Sequence, residues 1–177
     1  MKTNRLLMMT ALAVAAGGAV LAFDPVKPLP KTEVIFFEAG KFTDVRDRWL
    51  NDSENARDAT LGELRTYLVE HANRLLAPGQ QLKITVTDID RAGEFEPWHG
   101  PQWADVRIVK DIYPPRINLA FKLVDTDGRV LKEGTRELTD LAYLMKITLA
   151  FSDDPLRHEK GLLDDWLRDE FGNLKKR

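Results

Sequence analysis

The chain contains no cysteine among its 177 residues. That absence excludes disulfides, thiolate metal sites and cysteine nucleophiles, and it closes the lipid-anchoring route that needs a cysteine just after an export signal. Histidine is scarce, with three residues at His71, His99 and His158. Neither sign of charge dominates, since 26 Lys and Arg against 28 Asp and Glu leave a formal net charge of −2. A nucleic-acid partner calls for a concentrated basic face, so that balance argues against one. There is no glycine-rich phosphate loop, no Gly-x-Ser-x-Gly elbow and no Ser-x-x-Lys. Phosphate cradling and serine-nucleophile chemistry therefore lack their usual carriers.

What is present begins with an address. Lys2 and Arg5 precede an almost unbroken apolar stretch from Leu6 to Leu21, and Val20-Leu21-Ala22 fits a signal-peptidase site. The apolar stretch falls short of the roughly 20 residues that a spanning helix needs, and Gly17-Gly18 breaks it. Cleavage is therefore expected after Ala22, with no stable membrane span left in the mature chain and the periplasm as its home. Residues 23–31 (FDPVKPLPK) hold three prolines and read as an extended tether. Residues 32–177 are expected to form a single α+β domain with one core.

Within that domain, Leu82, Ile84 and Val86 alternate with Lys83, Thr85 and Thr87, the period-2 signature of a half-buried strand. The alternation breaks at Asp88-Ile89-Asp90, so the strand is expected to deliver two carboxylates to its end. Val34 to Phe37 reads as a strand buried on both faces. Arg46 to Asp58 reads as a surface loop or a loosely docked helical turn, anchored by Trp49 and Leu50. Thr60 and Glu63 have the spacing of a capping box, and Leu61, Leu64, Leu68, Ala72 and Leu75 predict one apolar helix face over 60–77. Ile117 to Leu123 and Arg129 to Leu138 predict a hairpin joined at Asp125-Thr126-Asp127-Gly128. Thr139 or Asp140 is expected to cap a helical segment with Leu141, Leu144, Met145 and Leu149, and Pro155 to open a second helix ending at Phe171.

The densest set of acid–base or ligand groups is Asp88 and Asp90, with Glu94, Glu96, His99, Asp105 and Asp111 close behind. Oxygen-rich clusters suit hard divalent cations, which makes Asp88 and Asp90 the candidate metal ligands. The match to a calcium loop fails, because Ala92 and His99 stand where ligands belong. The plainer expectation is that the carboxylates cap turns and accept backbone amides at the strand end. Glu94, Phe95, Trp98, His99, Trp103 and Tyr113 form a candidate binding surface, either walling a groove or plugging the end of the sheet. His71 is expected to pack beside its apolar stripe and His158 to face solvent.

The segments VIFFEAGKFTDV (34–45), ITVTDIDRAGEF (84–95), VRIVKDIYPPRI (106–117), LTDLAYL (138–144) and EKGLLDDWLRDEF (159–171) together resemble the domain of unknown function 3016 family, exported proteins of Gram-negative bacteria. The resemblance runs over about Lys31 to Phe171 and implies a secreted single domain, but it brings no activity, substrate or catalytic residue. The expected architecture is a two-layer α+β sandwich. It has a mostly antiparallel or mixed sheet of about four to five strands, with helices 60–77 and 139–171 packed on one face. The expected role is a non-catalytic binding module of the envelope, taking a protein or a small ligand and needing no cofactor. The alternative is a divalent-metal-binding or carboxylate-based enzyme working at Asp88 and Asp90.

Overall fold

The run that alternates from Leu82 becomes the centre of a ten-residue strand, and the rest of the chain is arranged around it. In a computed structural model, residues 31–47, 53–146 and 153–172 are described. The expected export signal, the expected tether up to residue 30, Trp49, Leu50 and Leu149 lie outside them. In chain order the elements are β1 (Thr32–Phe36), α1 (Glu54–Leu75), β2 (Gln81–Asp90), β3 (Glu94–Phe95), β4 (Arg107–Ile108), β5 (Arg116–Val124), β6 (Val130–Thr139) and α2 (Arg157–Phe171). The fold is α+β. Its main sheet runs in the order β1-β2-β5-β6, and β3 with β4 forms a separate two-stranded sheet.

β1 lies parallel to β2, whereas β2–β5 and β5–β6 are antiparallel, so the sheet is mixed. The inner face presents Leu82, Ile84, Val86 and Ile89 from β2 and Ile117, Leu119, Phe121 and Leu123 from β5, all buried. Against it pack Leu61, Leu64, Leu68 and Ala72 of α1, and Leu162, Leu163, Trp166, Leu167 and Phe171 of α2. Phe121, Trp166 and Phe171 meet edge to face, with centroids 5.6–5.8 Å apart. One face of the sheet is covered by both helices. The other carries Lys83, Thr85 and Thr87 of β2, none of them buried.

Several expectations change for physical reasons. The break in alternation at Asp88 is a register shift between Val86 and Asp88, and β2 continues past it to Asp90. A bulge inserts one residue, so Thr87 and Asp88 are both kept out of the core while Ile89 is buried. β1 is an edge strand with one buried face, not two, and Phe37 beyond it is exposed. α1 starts at Glu54, within the stretch read as a loop or a loosely docked helical turn and ahead of the expected Thr60, because the Ser53 hydroxyl accepts the Ala56 amide at 3.2 Å and caps it. Thr60 is an interior residue whose hydroxyl donates to the Ala56 carbonyl. The expected helix after Thr139 is, among the described residues, a single 3-10 turn at Tyr143–Met145. Leu141, Leu144 and Met145 are exposed, and only Tyr143 is buried. α2 begins at Arg157, two residues after Pro155, with the Asp154 carboxylate holding the Leu156 amide at 2.7 Å.

Candidate functional site

β2 ends where three excursions meet: the 42–47 segment, the β3–β4 unit, and the first turn of α2. A network of charges ties them together. Asp44 is buried, and its carboxylate accepts from the Arg46 amide at 2.9 Å and from Arg107 Nη2 at 2.8 Å. The Arg46 carbonyl accepts from Arg91 Nη1 at 2.6 Å and Arg107 Nη2 at 2.8 Å. Arg91 also donates to the Pro155 carbonyl at 2.9 Å. Glu159, fully buried, accepts the Ala92 amide at 2.7 Å and lies 3.9 Å from Arg91 Nε. Burial pushes the Glu159 carboxyl up and the Arg91 guanidinium down, each opposed by the charge of the other. Paired charges of this kind fix geometry more than they add stability.

A second carboxylate anchors the long excursion from β3 to β5. Glu96 is buried and accepts from Lys110 Nζ at 2.6 and 2.7 Å, from Tyr113 Oη at 2.9 Å, and pairs with His99 Nε2 at 3.0 Å. Hydrogen bonding from Lys110 holds the Glu96 carboxyl below its ordinary range. The bond from Tyr113 to Glu96 holds that phenol above its own. The Lys110 carbonyl in turn accepts the buried Tyr143 hydroxyl at 2.6 Å and the Tyr113 amide at 3.0 Å. The 96–99, 110–113 and 140–146 segments therefore converge on Lys110.

These two networks decide the fate of the candidate residues. Asp88 accepts the Thr43 amide at 2.7 Å and the Thr43 hydroxyl at 2.8 Å, closing the segment against β2. Asp90 pairs in register with Arg116 and lies 3.8 Å from its guanidinium, while burial raises its carboxyl. Glu94 Oε1 accepts the Phe95 amide at 2.8 Å. Among the described residues, no group of three or more His, Asp or Glu is placed to hold a metal ion. Asp88 is thus engaged by the 42–47 segment and Asp90 lies beside a guanidinium. Phe95 belongs to no exposed wall: it is buried, with Arg107 and Arg46 over its ring at 4.5 and 5.6 Å. Tyr113 is half-buried on Glu96.

Trp98 and Trp103 go the other way. Each sits in a 3-10 turn, and they are 68% and 44% exposed. Ile112 is 66% exposed, Leu141 76% and Met145 84%. Trp98, Ile112, Leu141 and Met145 lie on the segments joined through Lys110, and Trp103 lies on the turn that follows Trp98. No helix of the described residues is long and apolar enough to cross a membrane.

The family described as "Protein of unknown function (DUF3016)" matches residues 30–169. The chain belongs to the DUF3016 family. That span takes in both networks, the Trp-bearing turns and nearly all of α2, so they fall within the DUF3016 region. No curated protein and no solved structure matches the chain.

Two features had no sequence signal. His158, expected at the surface, is half-buried and edge-on to Tyr143 at 4.8 Å, with its Nε2 unpartnered. Burial is the largest cause lowering its pKa, to about 4. On α1, Tyr67 and His71 stack at 3.8 Å and share the Asp164 carboxylate of α2, at 2.7 Å each. Burial, with the Asp164 bond second, lifts the Tyr67 phenol far above its usual range. This trio and the Lys160–Glu63 pair at 2.5 Å join the two helices. Their spacing of 93–97 residues is invisible to any local pattern.

Proposed function

We propose that this DUF3016 protein is an exported, non-catalytic binding module of the bacterial envelope. Its contact surface is the apolar rim around Lys110, presented by Trp98, Trp103, Ile112, Leu141 and Met145. The observation that carries this reading is the exposure of those side chains, with Trp98 and Ile112 on segments held by the buried Glu96 carboxylate and Leu141 and Met145 flanking the Tyr143 that bonds the Lys110 carbonyl. Exposed aromatics on a rigid base lose little entropy on binding, which is how contact hot spots work. The partner that suits such a rim is an envelope protein with an apolar patch of its own; a small apolar ligand is the second candidate. The apolar stretch 6–21 ahead of Ala22 supports export.

Two measurements test this. A photoreactive residue at position 98, with the protein expressed in its own host, should give one discrete adduct that is lost when Trp103 and Ile112 are changed to Ser. A smear of adducts identical to that from position 122 on the sheet would refute the contact surface. N-terminal sequencing of the mature protein from a periplasmic fraction should begin at Phe23. A chain retaining Met1 in the cytoplasm would end the export reading.

A further inference from the structure

The end of the sheet opposite the apolar rim carries a feature of a different kind. Among the described residues, Lys41, Lys110, Lys132, Lys146 and Lys160 each donate a hydrogen bond to a carboxylate or carbonyl. Lys31, Lys83 and Lys122 have no such bond, and these three line one groove. The groove encloses about 390 Å³, and Glu33, Gln81, Leu82 and Val124 complete its lining. That volume falls within the range of small-molecule sites.

Strand register explains why the lysines converge. Glu33 pairs with Lys83, Lys83 with Lys122, and Lys122 with Glu133, so one row across four strands reads Glu-Lys-Lys-Glu. The two lysines at its centre stand directly opposite, an arrangement that costs energy when both are charged. Their acids lie 3.9 and 3.7 Å away at the flanks, too far for hydrogen bonds. Lys31 has no ion-pair partner among the described residues. The groove therefore offers three ammonium groups with unused donors and one carboxylate, on a chain whose net charge is negative. Between the ammoniums, the lysine stems and Val124 supply apolar surface.

We infer that this groove binds an amphipathic anion, a ligand with a carboxylate or phosphate head set between Lys83 and Lys122 and a short apolar body along Val124. Charge complementarity selects the head, because an anion removes the repulsion between the facing lysines. The lysine stems and Val124 select the body. This site lies at the Gln81 end of β2 and the apolar rim at its Asp90 end, so the inference stands apart from the proposed contact surface.

The test uses the mature protein with dodecanoate, dodecyl phosphate, dodecyltrimethylammonium and inorganic phosphate, all below micelle formation. Binding is read by melting temperature and by amide chemical shifts. Both dodecyl anions should raise the melting temperature and shift the amides of residues 81–83 and 122–124. Raising the salt from ~0.05 to ~0.5 M should weaken them, since the groove is open to screening. Lys83→Met and Lys122→Met should each melt no lower than the parent while binding dodecanoate about tenfold more weakly, which is about 1.4 kcal/mol. Asp58→Asn, on the exposed face of α1 and outside both surfaces, should bind as the parent does. Equal binding of the dodecyl cation, or unchanged binding in the lysine variants, would overturn the inference. Binding of inorganic phosphate as tight as that of dodecyl phosphate would remove the apolar body from it, and a silent titration with both dodecyl anions would remove the site.

Discussion

Replacing His158 with phenylalanine should abolish a pH dependence that the native protein owes to one imidazole. The ring packs edge-on to Tyr143, its Nε2 is buried without a partner, and Arg157 adds to the burial in keeping it neutral, against a weaker pull from Asp140. Its pKa falls from the ordinary 6.5 to about 4. Above the ordinary value both folded and unfolded chains carry a neutral ring, and the group has no effect on stability. As pH falls below it, the unfolded chain takes up a proton that the native state refuses, so stability declines until about pH 4. A fully buried ring with this shift would forfeit about 3 kcal/mol across the window. His158 is only half-buried, and solvent screening brings the expected loss to about 1–2 kcal/mol. The phenyl ring of the His158→Phe variant would keep the edge contact with Tyr143 and cannot titrate. Urea unfolding of both proteins at several pH values between about 7.5 and 4.5 gives a difference in which the other groups cancel. Those groups include Glu159, raised by burial and so opposite in sign, and Glu170, lowered by Lys132 and Arg136 despite its burial. If the difference between the variants is flat with pH, the ring is not held neutral and the reasoning fails.

Other outcomes follow from single contacts. Ser53→Ala should destabilise by about 1 kcal/mol, because it strips the cap from α1, while Thr60→Ser should be nearly neutral by thermal unfolding. A larger loss at Thr60 would return the helix start to that residue. Gly93 has φ of 80°, and a Cβ there would lie 2.8 Å from the Ile108 carbonyl oxygen. Gly93→Ala should therefore cost about 2 kcal/mol or more in urea unfolding; a loss under half of that would show that β4 can give way. Asp88→Ala should lower stability by about 1–2 kcal/mol through Thr43, with the same melting temperature in chelator or divalent cations. A cation-dependent rise that Asp88→Ala removes would restore the metal reading.

Much of the fold was legible because the patterns were local and long. The stripe from Leu61 to Ala72 and the alternations in β2 and β5 each repeat one choice, core or solvent, several times in succession. The start of α1 was misjudged because Thr60 and Glu63 have capping-box spacing, whereas the Ser53 hydroxyl makes the true cap one turn and more upstream. The Leu141–Met145 stretch has helical spacing but finds no core among the described residues, so periodicity alone misled. Of the candidate residues, Trp98 and Trp103 are exposed, whereas Phe95 is covered by arginines that come from distant segments.

By itself the sequence determined the exclusion of cysteine chemistry, the α+β class and the sheet and helix faces that build the core. These follow from composition and from side-chain periods of 2 and 3.6, which need no knowledge of neighbours. Only the tertiary structure decided what each charge does. Asp88 on Thr43, Glu96 on Lys110 and Tyr113, Glu159 facing Arg91, and three lysines gathered in one groove all depend on which strands pair and in what register. A carboxylate is the same in any sequence; its partners, set by contacts between remote segments, make it a clamp, a hub or a site.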